Sequence, residues 1–300
     1  MRLVTLLDEI RALAADLRNQ GRAVTLVPTM GALHAGHLSL MRRAREQGGA
    51  LVVSIFVNPT QFGPGEDFDR YPRDLDRDLE RLAHEQPEVV FAPPAEEMYP
   101  SGFSTFVHPG DLAARWEGAS RPGHFPGVAT IVLKLLNLIN PDIAFFGQKD
   151  FQQGVVIRRM VADLDLGTRV VICPTVRAPD GLAVSSRNAY LNPEERKVAP
   201  VLYRSLRRAR ELFQAGESQS AELLGSLRAV VGEEPRMTLD YAVIAHPVSM
   251  EPVEKASAGM VTLAAARLGA VRLIDNFILG PAEAGDDELI SLALNVANAK

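Results

Sequence analysis

His34 and His37 are the first side chains along this chain whose types and spacing have a clear chemical use. Both lie in the second half of segment 28–37, and His37 is its last residue. This segment follows a β-branched run at 24–27 and precedes an apolar helical pattern. Residues three apart share one face of a helical turn, so both rings can project toward one phosphate group. Gly31 and Gly36 would let the backbone approach such a ligand closely. The segment is therefore predicted to be an anion-binding turn at the carboxyl end of a strand.

The glycine spacing of this segment imitates two nucleotide-binding motifs without satisfying either. A P-loop carries Lys after its second glycine and then Ser or Thr, whereas His37 and Leu38 stand at those places. The G-x-G-x-x-G pattern of nicotinamide dehydrogenases is not met either, since Gly-Pro-Gly at 63–65 continues as Glu-Asp-Phe. By themselves, the two histidines fit a structural turn with capping or core histidines equally well.

Polar side chains also follow two other apolar runs. Lys149 and Asp150 follow the run 143–146 after Gly147 and Gln148, at a strand end where a triphosphate and a ribose can lie. Without that position, Lys149 would be interpreted as a solvated surface lysine. Asn58 and Gln61 follow a third run and offer uncharged hydrogen-bonding groups, although they also suit a turn former and a surface residue.

A serine pair beside an arginine forms another candidate site. Ser185, Ser186 and Arg187 follow a predicted turn at 179–181. Two hydroxyls next to a guanidinium suit an anion, because arginine can bind two phosphate oxygens at once. The alternative interpretation is an ordinary polar loop.

The elements that must position these residues alternate through the first part of the chain. Helical patterns occur at 5–20, 38–49, 73–85, 127–139 and 151–163, between strand-like runs at 24–27, 51–57, 89–91, 143–146 and 169–173. Near-continuous apolar strands that alternate with helices are typical of parallel strands buried on both faces. We therefore predict an α/β fold with a doubly wound, Rossmann-like parallel sheet over residues 1–175.

The rhythm changes beyond about residue 175. Helical patterns at 193–215 and 218–231 precede strand-like runs at 237–245, 259–267 and 271–279, which no longer alternate with helices. This order predicts a smaller α+β domain over residues 176–300.

Composition excludes several classes of protein. The chain has 300 residues, 47% of them hydrophobic, which is enough for a large globular core. A formal net charge of -5 without a basic stripe argues against nucleic acid as a partner. The single cysteine, Cys173, lies in an apolar run and is expected to be a buried thiol. Asp8 and Glu9 fall where a signal peptide would be basic or apolar, and no long apolar segment occurs, so we expect a cytoplasmic protein without a membrane anchor.

The ordered set of motifs resembles the pantothenate synthetase family of the His-x-Gly-His nucleotidylyltransferase superfamily. The segments that carry the resemblance are 28–37, SIFVNP at 54–59, QFG at 61–63, YPR at 71–73, RPGHF at 121–125, FGQKDFQQ at 146–153 and DGLAVSSRNAYL at 180–191. The match is specific over about residues 20–192 and looser beyond. Gln148 departs from the family, because many relatives carry an acidic residue there.

The resemblance implies a ligase that uses ATP to join pantoate to β-alanine through a pantoyl-adenylate. It implies Mg²⁺ on the phosphates, release of AMP and pyrophosphate, and a homodimer. His34, His37 and Lys149 would be the catalytic residues. The implied ATP-binding residues are Met30, Gly31, Ala32, Leu33, His34, Ala35, Gly36, His37, Gly147, Gln148, Lys149, Asp150, Val176, Val184, Ser185, Ser186 and Arg187.

Gln61 and Gln153 would hold the substrates by the same resemblance, and Pro28, Met30 and Phe62 are candidates for the apolar walls of the acid pocket. A nucleotidylyltransferase with a phosphorylated acceptor would need a cationic pocket instead. A module that binds ATP without turnover would need the histidines only for structure.

An acidic stretch follows the YPR motif. Asp74, Asp76 and Asp78 lie beside Arg73 and Arg77 and are interpreted as a solvated helix face, so no metal ligand is predicted.

Overall fold

The structure, a computed structural model, describes residues 1–295. These residues form two compact units, one comprising Met1–Gly147 and Gln152–Cys173 and the other comprising Gln148–Phe151 and the chain from Pro174 onward. The division into domains 1–175 and 176–300 stays a prediction, and residues 296–300 lie outside the described residues. No helix within residues 1–295 is both long and apolar enough to cross a membrane.

The first unit contains a six-stranded sheet in which every pair of neighbouring strands is parallel. The strands are β1 (Arg2–Val4), β2 (Val24–Thr29), β3 (Ala50–Ile55), β4 (Val89–Phe91), β5 (Ile143–Gly147) and β6 (Arg169–Cys173). Their order in the sheet is β1-β4-β3-β2-β5-β6. After β2, the strands β3 and β4 are added on one side of β2, and β5 and β6 are then added on its other side. The predicted doubly wound α/β sheet is confirmed, and its switch point, where such sheets bind ligands, lies between β2 and β5.

Helices connect these strands. They are α1 (Leu7–Asn19), α2 (Ala35–Glu46), α3 (Leu75–Glu85), α4 (Ala95–Met98), α5 (Glu117–Ser120), α6 (His124–Ile139) and α7 (Phe151–Asp163). Leu40, Met41 and Ala44 follow helical spacing and bury one face of α2 in a cluster that includes Val27 and Phe145. Cys173 is buried in the same cluster, as its apolar run predicted.

The chain opens with a strand rather than with the predicted helix. Arg2–Val4 pairs in parallel with Val89–Phe91 at the edge of the sheet. A strand of three residues is too short to show a period, so periodicity could not detect it.

The second unit contains an antiparallel sheet and helices that share one hydrophobic core. The strands β7 (Met237–Ala245), β8 (Val261–Leu268) and β9 (Val271–Ile278) are adjacent in that order, and the helices are α8 (Pro193–Val198), α9 (Val201–Gln214), α10 (Ser220–Gly232) and α11 (Asp286–Asn295). Leu202, Leu206, Leu223 and Leu227 pack into one buried cluster with residues of the sheet. The prediction of a single helix over 193–215 is wrong. The helix is interrupted between α8 and α9 at Pro200, which lacks the N–H that a continuous helix requires.

Candidate active site

The two histidines of segment 28–37 stand side by side at the start of α2. The His34 and His37 rings are stacked, with centroids 4.0 Å apart and planes 21° apart. His34 is the last extended residue before the helix, which begins at Ala35. A Cβ on Gly36 would come within 3.0 Å of the His34 ring, so this glycine makes room for the stack. The structure therefore brings both predicted catalytic histidines to one helix N-terminus, where backbone N–H groups favour anions.

A buried carboxylate holds the turn that leads to these histidines. Asp78 is 3% exposed, and its two oxygens accept hydrogen bonds of 2.8 Å from the backbone N–H groups of Ala32 and Leu33. Gly31 has a left-handed φ of +78°, and a Cβ there would lie 2.9 Å from an Asp78 oxygen. Burial raises the pKa of the Asp78 carboxyl, and the two backbone hydrogen bonds oppose this only in part. The interpretation of Asp78 as part of a solvated face is wrong.

A helical signal for Asp78 was present in the sequence. Asp78, Leu82 and Glu85 follow the spacing of one helix face, and all three are buried in α3. Glu85 accepts hydrogen bonds of 3.0 and 2.7 Å from the guanidinium of Arg42 on α2. One face of α3 thus holds both the turn before α2 and the body of α2.

Two carboxylates at the N-terminal end of α3 bind backbone N–H groups. Both oxygens of Asp78 accept backbone hydrogen bonds, and Asp74 accepts the Arg77 N–H as the cap of α3. Within residues 1–295, no group of three or more His, Cys, Asp or Glu side chains is placed to hold a metal ion. Asp74 and Asp78 are thus committed to backbone N–H groups, and neither is assigned to Mg²⁺.

A buried amide pair occupies the carboxyl end of β3. Asn58 is 1% exposed, and its N–H groups donate to the Gln61 side-chain oxygen at 3.0 Å and to the Gly127 carbonyl at 3.1 Å. The Asn58 oxygen accepts a 2.8 Å hydrogen bond from the Tyr99 hydroxyl. Because the Gln61 oxygen already accepts from Asn58, its amide nitrogen points away from that pair and lies 2.9 Å from the Met30 sulfur. The structure brings together Gln61 and Met30, both predicted members of the acid pocket.

The RPGHF segment surrounds the backbone of Gln61. His124 Nδ1 lies 2.9 Å from the Gln61 carbonyl oxygen, and His124 Nε2 lies 3.1 Å from the Arg121 guanidinium. Arg121 also binds both oxygens of Glu66 at 2.8 and 2.7 Å. Burial lowers the pKa of His124 to about 4, with the Arg121 charge acting in the same direction. Burial alone would raise the pKa of Glu66, but the hydrogen bonds and charge of Arg121 lower it overall.

The other predicted members of the acid site have less specific surroundings. The Phe62 ring meets the rings of Phe68 and Tyr71 edge to face, at centroid distances of 5.3 and 5.9 Å. Pro28 lies half-buried within β2. Both residues supply apolar surface in the first unit.

The adjacent glutamines of α7 have different surroundings. Gln152 is buried and donates to the carbonyls of Leu112 and Arg115 at 2.8 and 2.9 Å, which makes it a structural residue. Gln153 is half-buried, and its role as an acid-binding residue stays a prediction.

In the second unit, the predicted nucleotide segment is held by an asparagine from β9. Asn276 is 1% exposed and donates to the backbone carbonyls of Gln148 and Lys149 at 2.9 and 3.0 Å. Its side-chain oxygen accepts a 3.0 Å hydrogen bond from the Gln148 amide. The Lys149 ammonium lies 3.7 Å from the Asp150 carboxylate and is 21% exposed. The sequence signal for Asn276 was a polar pair, Asp275-Asn276, inside an apolar strand.

The remaining predicted nucleotide residues lie on a hairpin and the turn after it. The Val184 N–H donates to the Val176 carbonyl at 2.9 Å, so these two valines are direct neighbours. Ser185 accepts the Arg187 backbone N–H at 3.3 Å and caps the 3-10 helix Ser186–Tyr190. The serine pair and the arginine therefore have a defined backbone conformation next to the valine pair.

One arginine of this hairpin escaped the sequence analysis. Arg177 binds both oxygens of Asp275 at 2.6 and 3.0 Å, and its guanidinium lies 4.9 Å from the ring centres of Tyr203 and Phe277. These contacts hold the hairpin against the core of its own unit.

Comparison with known proteins identifies the family. The family model for Pantoate-beta-alanine ligase matches residues 2–278. The pantothenate synthetase of Roseiflexus castenholzii is 53% identical over 279 residues, which cover 93% of this chain and 99% of the relative. That of Geobacter sulfurreducens is 51% identical over 280 residues, with 93% and 99% covered.

Solved structures agree with the sequence comparison. The pantothenate synthetase of Thermus thermophilus superimposes with a TM-score of 0.88 at 49% identity and covers 94% of this chain and 100% of its own. The pantoate–β-alanine ligase of Francisella tularensis, solved in complex with beta-gamma ATP and β-alanine, gives a TM-score of 0.78 at 34% identity, with 94% and 100% covered. The chain therefore belongs to the family of pantoate–β-alanine ligases, the enzymes called pantothenate synthetases.

Proposed function

We propose that this ligase condenses pantoate with β-alanine in two steps that share an acyl-adenylate. In the first step, the pantoate carboxylate attacks the α-phosphorus of ATP and pyrophosphate leaves. In the second step, the β-alanine amine attacks the acyl carbon, AMP leaves, and pantothenate, a precursor of coenzyme A, is formed. The observation that carries the proposal is the stacked pair His34 and His37 at the N-terminus of α2, a position suited to phosphate.

The roles of the residues follow from what phosphoryl-group displacement requires, which is positioning and cancellation of charge on the phosphate oxygens. We assign this role to His34 and His37 in the first unit and to Lys149 in the second. Backbone groups of 30–37 and 147–150 would contact the nucleotide, with Gly147 and Asp150 at the ribose. In the hairpin and its turn, the assigned nucleotide residues are Val176, Val184, Ser185, Ser186 and Arg187.

The acid is assigned to Gln61 and Gln153. Asn58 donates to the Gln61 side-chain oxygen, so the part of the Gln61 amide left for a substrate is its N–H donors. N–H donors suit the carboxylate or hydroxyl oxygens of pantoate. Met30, Pro28 and Phe62 are assigned to the gem-dimethyl group. The Gln61 side-chain amide contacts the uncharged side chains of Asn58 and Met30, whereas a phosphorylated acceptor would need a cationic pocket.

We also infer that Mg²⁺ enters with the nucleotide as part of the substrate. Residues 1–175 and 176–300 are inferred to act as two domains. The enzyme is further inferred to be a cytoplasmic homodimer. Light scattering on the purified protein would test the dimer: twice the mass of one 32.6 kDa chain supports it, and a single-chain mass contradicts it.

Product identification tests the two-step order. With labelled pyrophosphate, ATP and pantoate but no β-alanine, label should enter ATP, because the adenylate can form and reverse before the amine arrives. With all three substrates, AMP, pyrophosphate and pantothenate should appear in equal amounts. Exchange that strictly requires β-alanine would contradict the order, and ATP binding without these products would indicate a sensing module.

A further inference from the structure

The contacts of His124 define its protonation state. Its Nδ1 lies 2.9 Å from the carbonyl oxygen of Gln61, which can only accept a hydrogen bond, so Nδ1 carries the proton. Its Nε2 lies 3.1 Å from the guanidinium of Arg121, which can only donate, so Nε2 is the acceptor. The ring is thus the neutral Nδ1–H tautomer, and a second proton on Nε2 would face the arginine.

Arg121 is held in place from the other side by acidic groups. Glu66 binds it through both oxygens, and Glu117 on α5 lies 3.6 Å from it. These contacts hold the Arg121 guanidinium beside Nε2, where its charge disfavours a second proton on the ring. The low pKa of His124, about 4, agrees with this arrangement and has burial as its main cause.

The backbone that receives the His124 hydrogen bond is the 3-10 turn Pro59–Gln61. Helix α6 lies so close to this turn that a Cβ on Gly127 would come within 2.3 Å of the Thr60 carbonyl oxygen. The Gly127 carbonyl accepts from Asn58, which in turn donates to the Gln61 side chain. The first turn of α6 therefore holds both the backbone of Gln61 and the Asn58 amide that orients the Gln61 side chain.

We propose that His124 is a positioning residue for the acid substrate: its Nδ1–H holds the Gln61 backbone so that the Gln61 amide presents its N–H donors to the acid, and Arg121 maintains the required tautomer. This inference rests on the proposed role of Gln61. It gives the RPGHF segment a function in acid recognition that is separate from ATP binding.

A pair of variants separates the two ring nitrogens. In H124N the amide nitrogen takes the place of Nδ1 and can still donate to the Gln61 carbonyl, whereas in H124Q the amide takes the place of Nε2 and that carbonyl loses its short hydrogen bond. Initial rates measured against pantoate and against ATP should show a KM for pantoate about tenfold higher in H124Q than in H124N. The KM for ATP should differ between the two variants by less than about twofold. H84Q, at an exposed histidine of α3, is the matched control.

Equal pantoate KM values in H124N and H124Q, or equal rises in both KM values, would overturn the inference. Q61A separates this failure from that of the proposed function: if Q61A loses acid affinity while H124Q matches H124N, only the role of His124 is wrong. Nitrogen-15 NMR of histidine-labelled parent enzyme provides a test that does not depend on a variant folding. A protonated Nδ1 and a bare Nε2 at neutral pH support the proposal, and the opposite tautomer or an imidazolium contradicts it.

Discussion

The Asp78 carboxylate lies 2.8 Å from the backbone nitrogen of Leu33, although the two residues are 45 positions apart in the chain. With its second oxygen on the Ala32 N–H, it satisfies two donors of the turn that carries His34 and His37. The turn before α2 is therefore held by a side chain from a different helix, α3. This contact leads to the first prediction.

D78N should lower both stability and turnover. An asparagine can accept from one of the two backbone N–H groups but turns its own N–H₂ toward the other, which leaves a buried donor without an acceptor. We expect the free energy of unfolding to fall by about 2 kcal/mol and kcat to fall at least about tenfold. Urea unfolding and initial rates would measure both. D76N, on the exposed side of the same helix, is the control. If D78N matches D76N in stability and turnover, the hydrogen bonds of Asp78 to the turn are unimportant.

H37N should lower turnover far more than it weakens ATP binding. A donor directed at phosphate oxygens matters most as charge develops in the transition state, where its loss costs about 3 kcal/mol, or about a hundredfold in kcat. Calorimetric titration with ATP and single-turnover rates would separate the two effects. Near-normal turnover would leave His37 only the structural role of stacking on His34.

K149A should raise the KM for ATP and lower kcat together, because an ammonium acts as a point charge on both ground-state and developing negative charge. K197A, which removes an exposed lysine of α8, should change neither. If K149A and K197A have the same kinetics, Lys149 is an ordinary surface residue.

Acid discrimination should decrease in Q61A and Q153A. A site that hydrogen-bonds a substrate hydroxyl loses about 1–3 kcal/mol when that hydroxyl is missing, so a deoxy analogue of pantoate should be a poor substrate for the parent enzyme. The ratio of the specificity constants for the two acids should fall about tenfold in a variant that removes the reader. A ratio that is unchanged in both variants would exclude both glutamines as readers of the hydroxyls.

The stability of the enzyme should depend on pH partly through His124. Its pKa is about 4 in the fold and 6.5 in its ordinary state, so on acidification the unfolded chain takes up the proton first. The stability that this group contributes is complete above pH 6.5 and falls by about 2 kcal/mol between pH 7 and pH 5. Urea unfolding of parent and H124N at both pH values isolates the contribution of His124, because the carboxyl groups titrate in both proteins. The same pH dependence in the two proteins would contradict the low pKa.

Local patterns in the sequence predicted a large part of the fold. Apolar strands that alternate with helices predicted the parallel sheet, because the period of a strand or helix is written in neighbouring residues. The strand, turn and helix around 24–46 could be predicted for the same reason, and with them the placement of His34 and His37. The resemblance of ordered motifs identified the family before any contact was known.

Tertiary structure decided which polar residues support the site. Asp78 and His124 make their decisive hydrogen bonds to Leu33 and Gln61, which are 45 and 63 positions away. A local period shows only which face of α3 carries Asp78, and it cannot show that backbone N–H groups meet it there. Burial then determines the chemistry, because it raises the pKa of Asp78 and lowers that of His124. Side-chain type and short-range spacing were determined by the sequence alone, whereas the partners and the desolvation that tune those side chains arise only when distant segments pack together.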